Sequence, residues 1–253
     1  MKKKIASLLF KVYAHCLKLK RGKTLKILLY TDSRGYNVIS RFGKNPFTSY
    51  VSRLVKKYDI DFCICPEKFT TIVDFISFVK SAKWKSYDFV IMHCGVVDFS
   101  PRPLSNISKV KESKHGSEPF EKLFRNNQEH YKNYAGIKYY EEDVVTLYSK
   151  EYLQQEIGPE LKLISNLIWI DSNNFVKGWE GNFARGRPKN INEEVNKYDE
   201  ALFPFVKNRI SLKNWNDQQI KQFTIDNIHF TDAGFVEITR LINEKIKELS
   251  ISS

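Results

Sequence analysis

The chain has 253 residues and a formal net charge of +12, with 42% hydrophobic and 14% aromatic residues. That length and apolar content suit one sizeable core and exclude a disordered chain. The excess of Lys and Arg points to an anionic partner: a membrane surface, nucleic acid or an acidic carbohydrate.

Residues 1–23 open with Lys2, Lys3 and Lys4, but the apolar run 5–10 is interrupted by Lys11 and lacks a small-residue cleavage site. This argues against a secretory signal, and the segment is too short and too charged to span a bilayer. Ile5, Leu8, Leu9, Val12 and Cys16 share one helical face while lysines crowd the other. Two readings stay open: a basic amphipathic helix resting on anionic lipid, or a helix packed on the body of the protein with a solvated lysine face. Residues 24–253 read as one domain without repeats or low-complexity linkers.

Residues 25–35 (LKILLYTDSRG) run from clustered apolar residues into a polar turn. A buried parallel strand reads this way when it empties into a loop at the carboxyl end of a sheet, where open α/β sheets place their chemistry. Ser33 is then either a nucleophile or a local cap of the following turn. Helical spacing follows at Val51, Leu54, Val55 and Tyr58, with Pro46 restricting where that helix starts. Residues 61–65 read as a second strand, 71–83 as a helix and 88–94 (DFVIMHC) as a third strand. The third strand empties into the loop GVVDFSPRP, residues 95–103.

Residues 109–140 are polar and weakly periodic, so an irregular insertion near 104–141 is expected, as a binding loop, lid or partly disordered segment. His115 and His130 within it read as surface residues. A helix over 142–156 should end at Gly158-Pro159. A fourth strand at 167–171 precedes a glycine-rich loop at 173–190, a helix at 192–205 and a last helix at 230–249, with Thr231 as a cap. Strands alternating with helices predict a doubly wound parallel sheet. Cys63, Cys65 and Cys94 sit in apolar runs, as buried small hydrophobes of a reducing compartment do. No cysteine has a CxxC partner or nearby histidine pair, so no metal site is expected.

Asp226-Asn227-Ile228-His229 lies at a loop-to-helix junction just before the last helix. With Ser33 it supplies a nucleophile, a base and a group to orient the base. Taken alone, Asp226 and His229 read rather as a capping loop with an exposed histidine.

The early strand–TDS turn, the mid-chain strand–GxxD loop and the late DxxH, in that order, resemble the SGNH (GDSL-type) hydrolases. The loop GVVDFSPRP and residues 187–196 (RPKNINEEVN) resemble more closely the SGNH-like proteins encoded with bacterial surface-polysaccharide genes. The resemblance implies a three-layer α/β/α sandwich with a central parallel sheet, flavodoxin-like, of the SGNH hydrolase fold. It implies an esterase or O-acyltransferase, an acetyl group being the expected cargo, with Ser33 as nucleophile, His229 as general base and Asp226 as its partner.

The first block carries Thr31 where the family has glycine, and residues 65–71 (CPEKFTT) offer no glycine amide. Val97 stands where an asparagine would donate to the oxyanion, and one such donor is worth about 10²–10³ in rate. Either the backbone amides of Ser33 and of the 66–70 loop suffice, or a side chain has moved in, with Arg34, Arg102 and Asn37 as candidates; Gly95 and Asp98 are further candidates to line the oxyanion or substrate site. Arg102 reads equally as a carboxylate-paired structural residue, and Arg34 as a solvated charge. Asp98 is expected to hold loop backbone and Ser33's turn, and His93 to be a satisfied core histidine.

The expected substrate is a surface carbohydrate, acidic or lipid-linked, met in the cytoplasm or at the inner face of the membrane. No bound cofactor is expected; acetyl-CoA is a candidate donor substrate. The alternative is a catalytically degenerate SGNH domain that binds glycan or scaffolds a membrane-associated assembly. Nucleic-acid binding is disfavoured, because the basic residues are scattered among acids rather than gathered in a stripe with aromatics.

Overall fold

The computed structural model describes residues 2–20, 22, 24–40, 43–66, 69–133, 136–183 and 185–251, with 2–5 described by backbone alone. The first three apolar runs are strands β1 (Lys26–Thr31), β2 (Asp59–Ile64) and β3 (Phe89–His93). Successive side chains of a strand point to opposite faces. Leu28, Tyr30, Val90 and Met92 therefore enter one core, and Ile27, Leu29, Phe89 and Ile91 enter the other. Short strands β4 (Arg102–Pro103), β5 (Lys138–Tyr139) and β6 (Glu142–Val145) make a small antiparallel sheet with β6 in the middle. Strands β7 (Leu167–Ile170) and β8 (Asn208–Ile210) complete the main sheet, which is parallel throughout in the order β2-β1-β3-β7-β8.

Helices Ile72–Ser81, Leu104–Ser113, Glu118–Asn126 and Ile191–Leu202, with the helical stretch 150–162, cover the first face. Helices Lys2–Lys20, Tyr50–Val55, Asp217–Phe223 and Asp232–Ile251 cover the second. This is the expected three-layer α/β/α sandwich.

Several local expectations need correction. The insertion is not irregular through residue 126: Ile107, Val110, Phe120, Leu123 and Phe124 recur at helical spacing on helices Leu104–Ser113 and Glu118–Asn126 and are buried in the first core. Apart from the short turn that joins these two helices, the turns expected there begin only at residue 127. His115 is exposed, but His130 is half-buried and its Nε2 sits 3.1 Å from the Thr146 hydroxyl. Residues 142–145 are strand rather than helix, and the following helix begins at Lys150 and runs through Gly158-Pro159. Its middle turn, Leu153–Ile157, is widened to a π turn, which relaxes the i−4 pairing that a proline interrupts. Gly158 answers to packing instead, since a Cβ there would lie 2.5 Å from the Phe205 ring. Upstream, the helix before Tyr58 is confined to Tyr50–Val55, and turns with an Asn37–Asn45 bridge precede it.

The N-terminal helix packs on the protein, though not through the expected face. Phe10, Tyr13, Ala14 and Leu17 join the second core, with the Phe10 ring 5.1 Å from those of Phe47 and Phe62. Leu8, Leu9, Val12 and Cys16 are exposed; the side chains of Lys2, Lys3, Lys4 and Ile5 lie outside the described residues. All four cysteines are free, with Cys65 and Cys94 buried, Cys63 half-buried and Cys16 exposed. No helix of the described residues is long and apolar enough to cross a membrane.

Candidate active site

β1 ends between two neighbours that hold its exit: the Cys65 amide donates to the Thr31 carbonyl at 2.7 Å, and the Asp32 amide to the His93 carbonyl at 3.0 Å. The chain then makes a single 3₁₀ turn, Ser33–Gly35, capped by the Asp32 carboxylate on the Arg34 amide. Gly35 is there for space: a Cβ would lie 2.4 Å from Thr31 Cγ2 and 2.8 Å from Ile64 Cγ2. Ser33 is therefore placed half-buried at the carboxyl edge of the sheet, where crossover loops converge.

The second half of the site comes from residues 224–231, between the last two helices. The Ile225 amide bonds the His229 carbonyl at 2.8 Å, closing a tight loop. Asp226 Oδ1 accepts from the amides of Ile228 (3.1 Å) and His229 (2.7 Å), and Oδ2 lies 2.8 Å from His229 Nδ1. Asn227 takes a left-handed conformation, φ +66°, and stitches the loop to its neighbour through Val176 N and the Trp179 carbonyl. On the other side of the ring, His229 Nε2 is 3.0 Å from Ser33 Oγ. A carboxylate at Nδ1 selects the Nδ1–H tautomer, which leaves Nε2 bare to accept the serine proton. Burial raises the Asp226 pKa, but the paired imidazole and the two loop amides outweigh it and hold the carboxyl below its ordinary value. Ser33, His229 and Asp226 are thus brought together in one hydrogen-bonded line.

One residue of this centre was not singled out as a site residue from the sequence. Arg187 is nearly buried, with its Nη2 3.6 Å from Asp226 Oδ2 and its Nη1 2.9 Å from Glu180 Oε2. Its guanidinium also stacks 4.2 Å over the Phe183 ring. The 173–190 loop reaches Asp226 because Gly181 permits it. At φ +53°, Gly181 lies so close to the neighbouring loop that a Cβ would sit 2.0 Å from the Ile225 carbonyl oxygen. The adjacent Asn182 amide bonds that same oxygen at 2.8 Å.

The remaining expected residues are placed as follows. Arg34 is neither a solvated charge nor an oxyanion donor: it is buried at 1% exposure and spans both Asp32 oxygens, with Nη1 on the Asp171 carbonyl. The salt bridge keeps this buried charge compensated. Arg102 is not carboxylate-paired; its Nε and Nη2 grip the Val97 carbonyl at 3.0 and 2.6 Å. Asp98 is fully buried and accepts from Ile72 N and the Tyr148 hydroxyl, so it anchors the start of helix Ile72–Ser81 rather than the Ser33 turn. Burial, ahead of those hydrogen bonds, pushes its carboxyl up to about 7. Gly95 stands at φ +125° before the short helix Val96–Phe99, a conformation that glycine takes at no steric cost. His93 is a core histidine half satisfied, with Tyr50 OH 2.8 Å from Nδ1 and no partner at Nε2 among the described residues; burial pushes its pKa well below the ordinary value. Asn37 is occupied in its own turn, accepting from Ile39 N.

Val97 brings no side-chain donor, whereas the Ser33 amide engages no acceptor among the described residues. Of the 66–70 loop, Glu67 and Lys68 lie outside the described residues. No cluster of three or more His, Cys, Asp and Glu side chains able to hold a metal occurs among the described residues.

No family model and no curated protein matches the chain. Among solved structures it is similar to a lipase/acylhydrolase from Enterococcus faecalis, with a TM-score of 0.50 and 15% identity over 88% of this chain and 96% of that one. It also aligns with an extracellular lipase from Streptomyces rimosus, at a TM-score of 0.49 and 10% identity over 87% and 99% of the two chains. A third match is the acetyl xylan esterase AlAXEase, at a TM-score of 0.45 and 12% identity over 87% and 98%. At 15% identity the likeness to the Enterococcus structure is one of fold alone, and the three-layer α/β/α sandwich with a central parallel sheet expected from the sequence is the fold observed.

Proposed function

We propose that the protein is a serine esterase or O-acyltransferase of the SGNH type, acting through an acyl-Ser33 intermediate. One observation carries this: Ser33 Oγ, His229 and Asp226 lie in line at 3.0 and 2.8 Å. Ser33 Oγ attacks the ester carbonyl carbon as its proton passes to His229 Nε2. Asp226 holds the ring and stabilises the imidazolium. The tetrahedral adduct collapses, the alcohol leaves with the proton from Nε2, and acyl-Ser33 remains. Water or a sugar hydroxyl then gives its proton to Nε2 and attacks the acyl carbon, freeing Ser33. The Ser33 amide is the donor at hand for the oxyanion.

The finer reading is transfer of an acetyl group to a bacterial surface carbohydrate, acidic or lipid-linked. It rests on the basic charge and on the motif resemblance of residues 95–103 and 187–196. A site short of oxyanion donors makes a slow general hydrolase, which suits a demanding acceptor better than bulk water. The absence of a side-chain donor at Val97 is also what favours the second reading, a glycan-binding domain that has lost catalysis.

Release of acetate from an activated acetyl ester, measured for wild type beside Ser33→Ala, tests the proposal. The expected result is measurable turnover by wild type and a loss of about 10³-fold or more in the variant. Equal rates in both would remove Ser33 as nucleophile. Inactivity of both, with glycan binding intact, would select the binding domain.

A further inference from the structure

We infer that the outward face of the N-terminal helix is a docking surface for an anionic lipid bilayer. Helix Lys2–Lys20 is seated on the protein by Phe10, Tyr13, Ala14 and Leu17. At 3.6 residues per turn, Leu8, Val12, Cys16 and Leu19 fall on the opposite side, with Leu9 at its margin. These are not trimmed surface positions: Leu8 is 64% exposed, Leu9 56%, Val12 53% and Leu19 73%. A helix apolar on both faces is expected in a core, not at a surface. The exposed Lys11 lies on one flank of the arc and the exposed Lys20 on the other.

Two more large apolar side chains are exposed in the segment after β1. Phe47, 38% exposed, packs its ring on Phe10 and Tyr13, and Ile39 is 56% exposed in the same loop. That loop follows the nucleophile turn directly. The helix also has a fixed direction relative to the sheet. Lys18 pairs with Asp59 at the start of β2, while Ser7 and Lys11 line a cleft with Tyr36, Cys65 and Pro66 at its far end. The far end is the sheet edge at which Ser33 follows β1, so the helix runs with its start toward that edge.

Charge decides between the occupants. A second copy of this chain would bring its own +12 against the lysines at the margin, which opposes self-association. An anionic bilayer takes the leucines into its acyl boundary and the lysines among its headgroups. The inference stands on the surface alone and does not depend on the proposed chemistry.

Flotation with vesicles of phosphatidylglycerol and phosphatidylcholine, beside vesicles of phosphatidylcholine alone, tests it. The wild-type protein should float with the anionic vesicles, stay behind with the neutral ones, and be released by high salt. The variant Leu8→Glu/Val12→Glu/Leu19→Glu should partition at least about tenfold less while keeping its melting temperature, because these side chains face away from the core. If that variant melts early, Leu19→Glu alone, at the most exposed position, carries the same comparison. No flotation of wild type, or equal flotation of wild type and a folded variant, would overturn the inference. So would a dimer in sedimentation equilibrium that the same substitutions abolish, since the face would then belong to a second copy.

Discussion

Arg187 touches no reacting atom in the proposed chemistry, yet its guanidinium stands 3.6 Å from Oδ2 of Asp226, the oxygen that faces His229. Its guanidinium is held by Glu180 and the Phe183 ring, and so offers Asp226 a cation in a set place. Arg187→Met should lower kcat/KM about tenfold, the worth of one charge-assisted contact. Because removing a nearby cation favours the protonated carboxyl, the acid limb of the pH–rate profile should move to higher pH. A uniform loss with an unchanged profile would make Arg187 a packing residue only. Nothing in its local sequence announces this role: it lies in a glycine-rich loop without periodicity, and its partner is 39 positions later by subtraction of 187 from 226. Ser33, Asp226 and His229 were legible as candidates because each sits at a strand or helix boundary and the three follow the order of the resembled motifs; pattern alone favours a local cap at each. Arg34 misled for the opposite reason, since a charge beside a loop is usually solvated and this one is enclosed by Asp32.

The loops that build the centre depend on single backbone positions. Gly181→Ala should destabilise the protein by about 1–3 kcal/mol and cut activity, since the added methyl must displace the Ile225 carbonyl and with it the Asp226 loop. Gly178 also has a positive φ, +73°, but nothing lies within 4 Å of an added Cβ. Gly178→Ala should therefore cost about 1 kcal/mol and leave kcat unchanged. Thermal melts and steady-state kinetics on the pair separate close approach from conformational strain; equal effects would refute the distinction. At this scale the long apolar strands were readable and the short elements were not. β8 (NRI) has a single buried apolar residue, too little for any pattern. Helix Asp217–Phe223 did carry a signal, the Asn216–Gln219 capping box, which its polar sequence disguised. The π turn at Leu153–Ile157 explains why Gly158-Pro159, ordinarily a stop, was passed through.

Across the whole molecule, stability should depend on pH through the buried carboxyls. Asp98 and Asp199 are both pushed up to about 7, chiefly by burial, so the fold holds protons that the unfolded chain has released. A raised carboxyl contributes its full stability below the ordinary value of 3.8, and this contribution is lost as pH rises through 7. Asp98→Asn keeps an acceptor for Ile72 N and cannot ionise. Relative to wild type it should gain about 1–3 kcal/mol between pH 4 and pH 8, read from melts at each pH. A difference that stays constant over that range would mean that Asp98 titrates alike in the folded and unfolded chain.

The bond between Ser33 and His229 joins positions 196 residues apart. The hydroxyl is fixed as soon as β1 finds β2 and β3, but its base arrives with the entry to the last helix. Contacts of such sequence separation form late, because the loop they close must be ordered first. Synthesis on the ribosome therefore presents Ser33 without its histidine until residue 229 has emerged. An unfinished polypeptide would hold the proposed nucleophile in an unarmed state, and recovery of turnover after dilution from denaturant should report the docking of the 224–231 loop rather than collapse of the sheet.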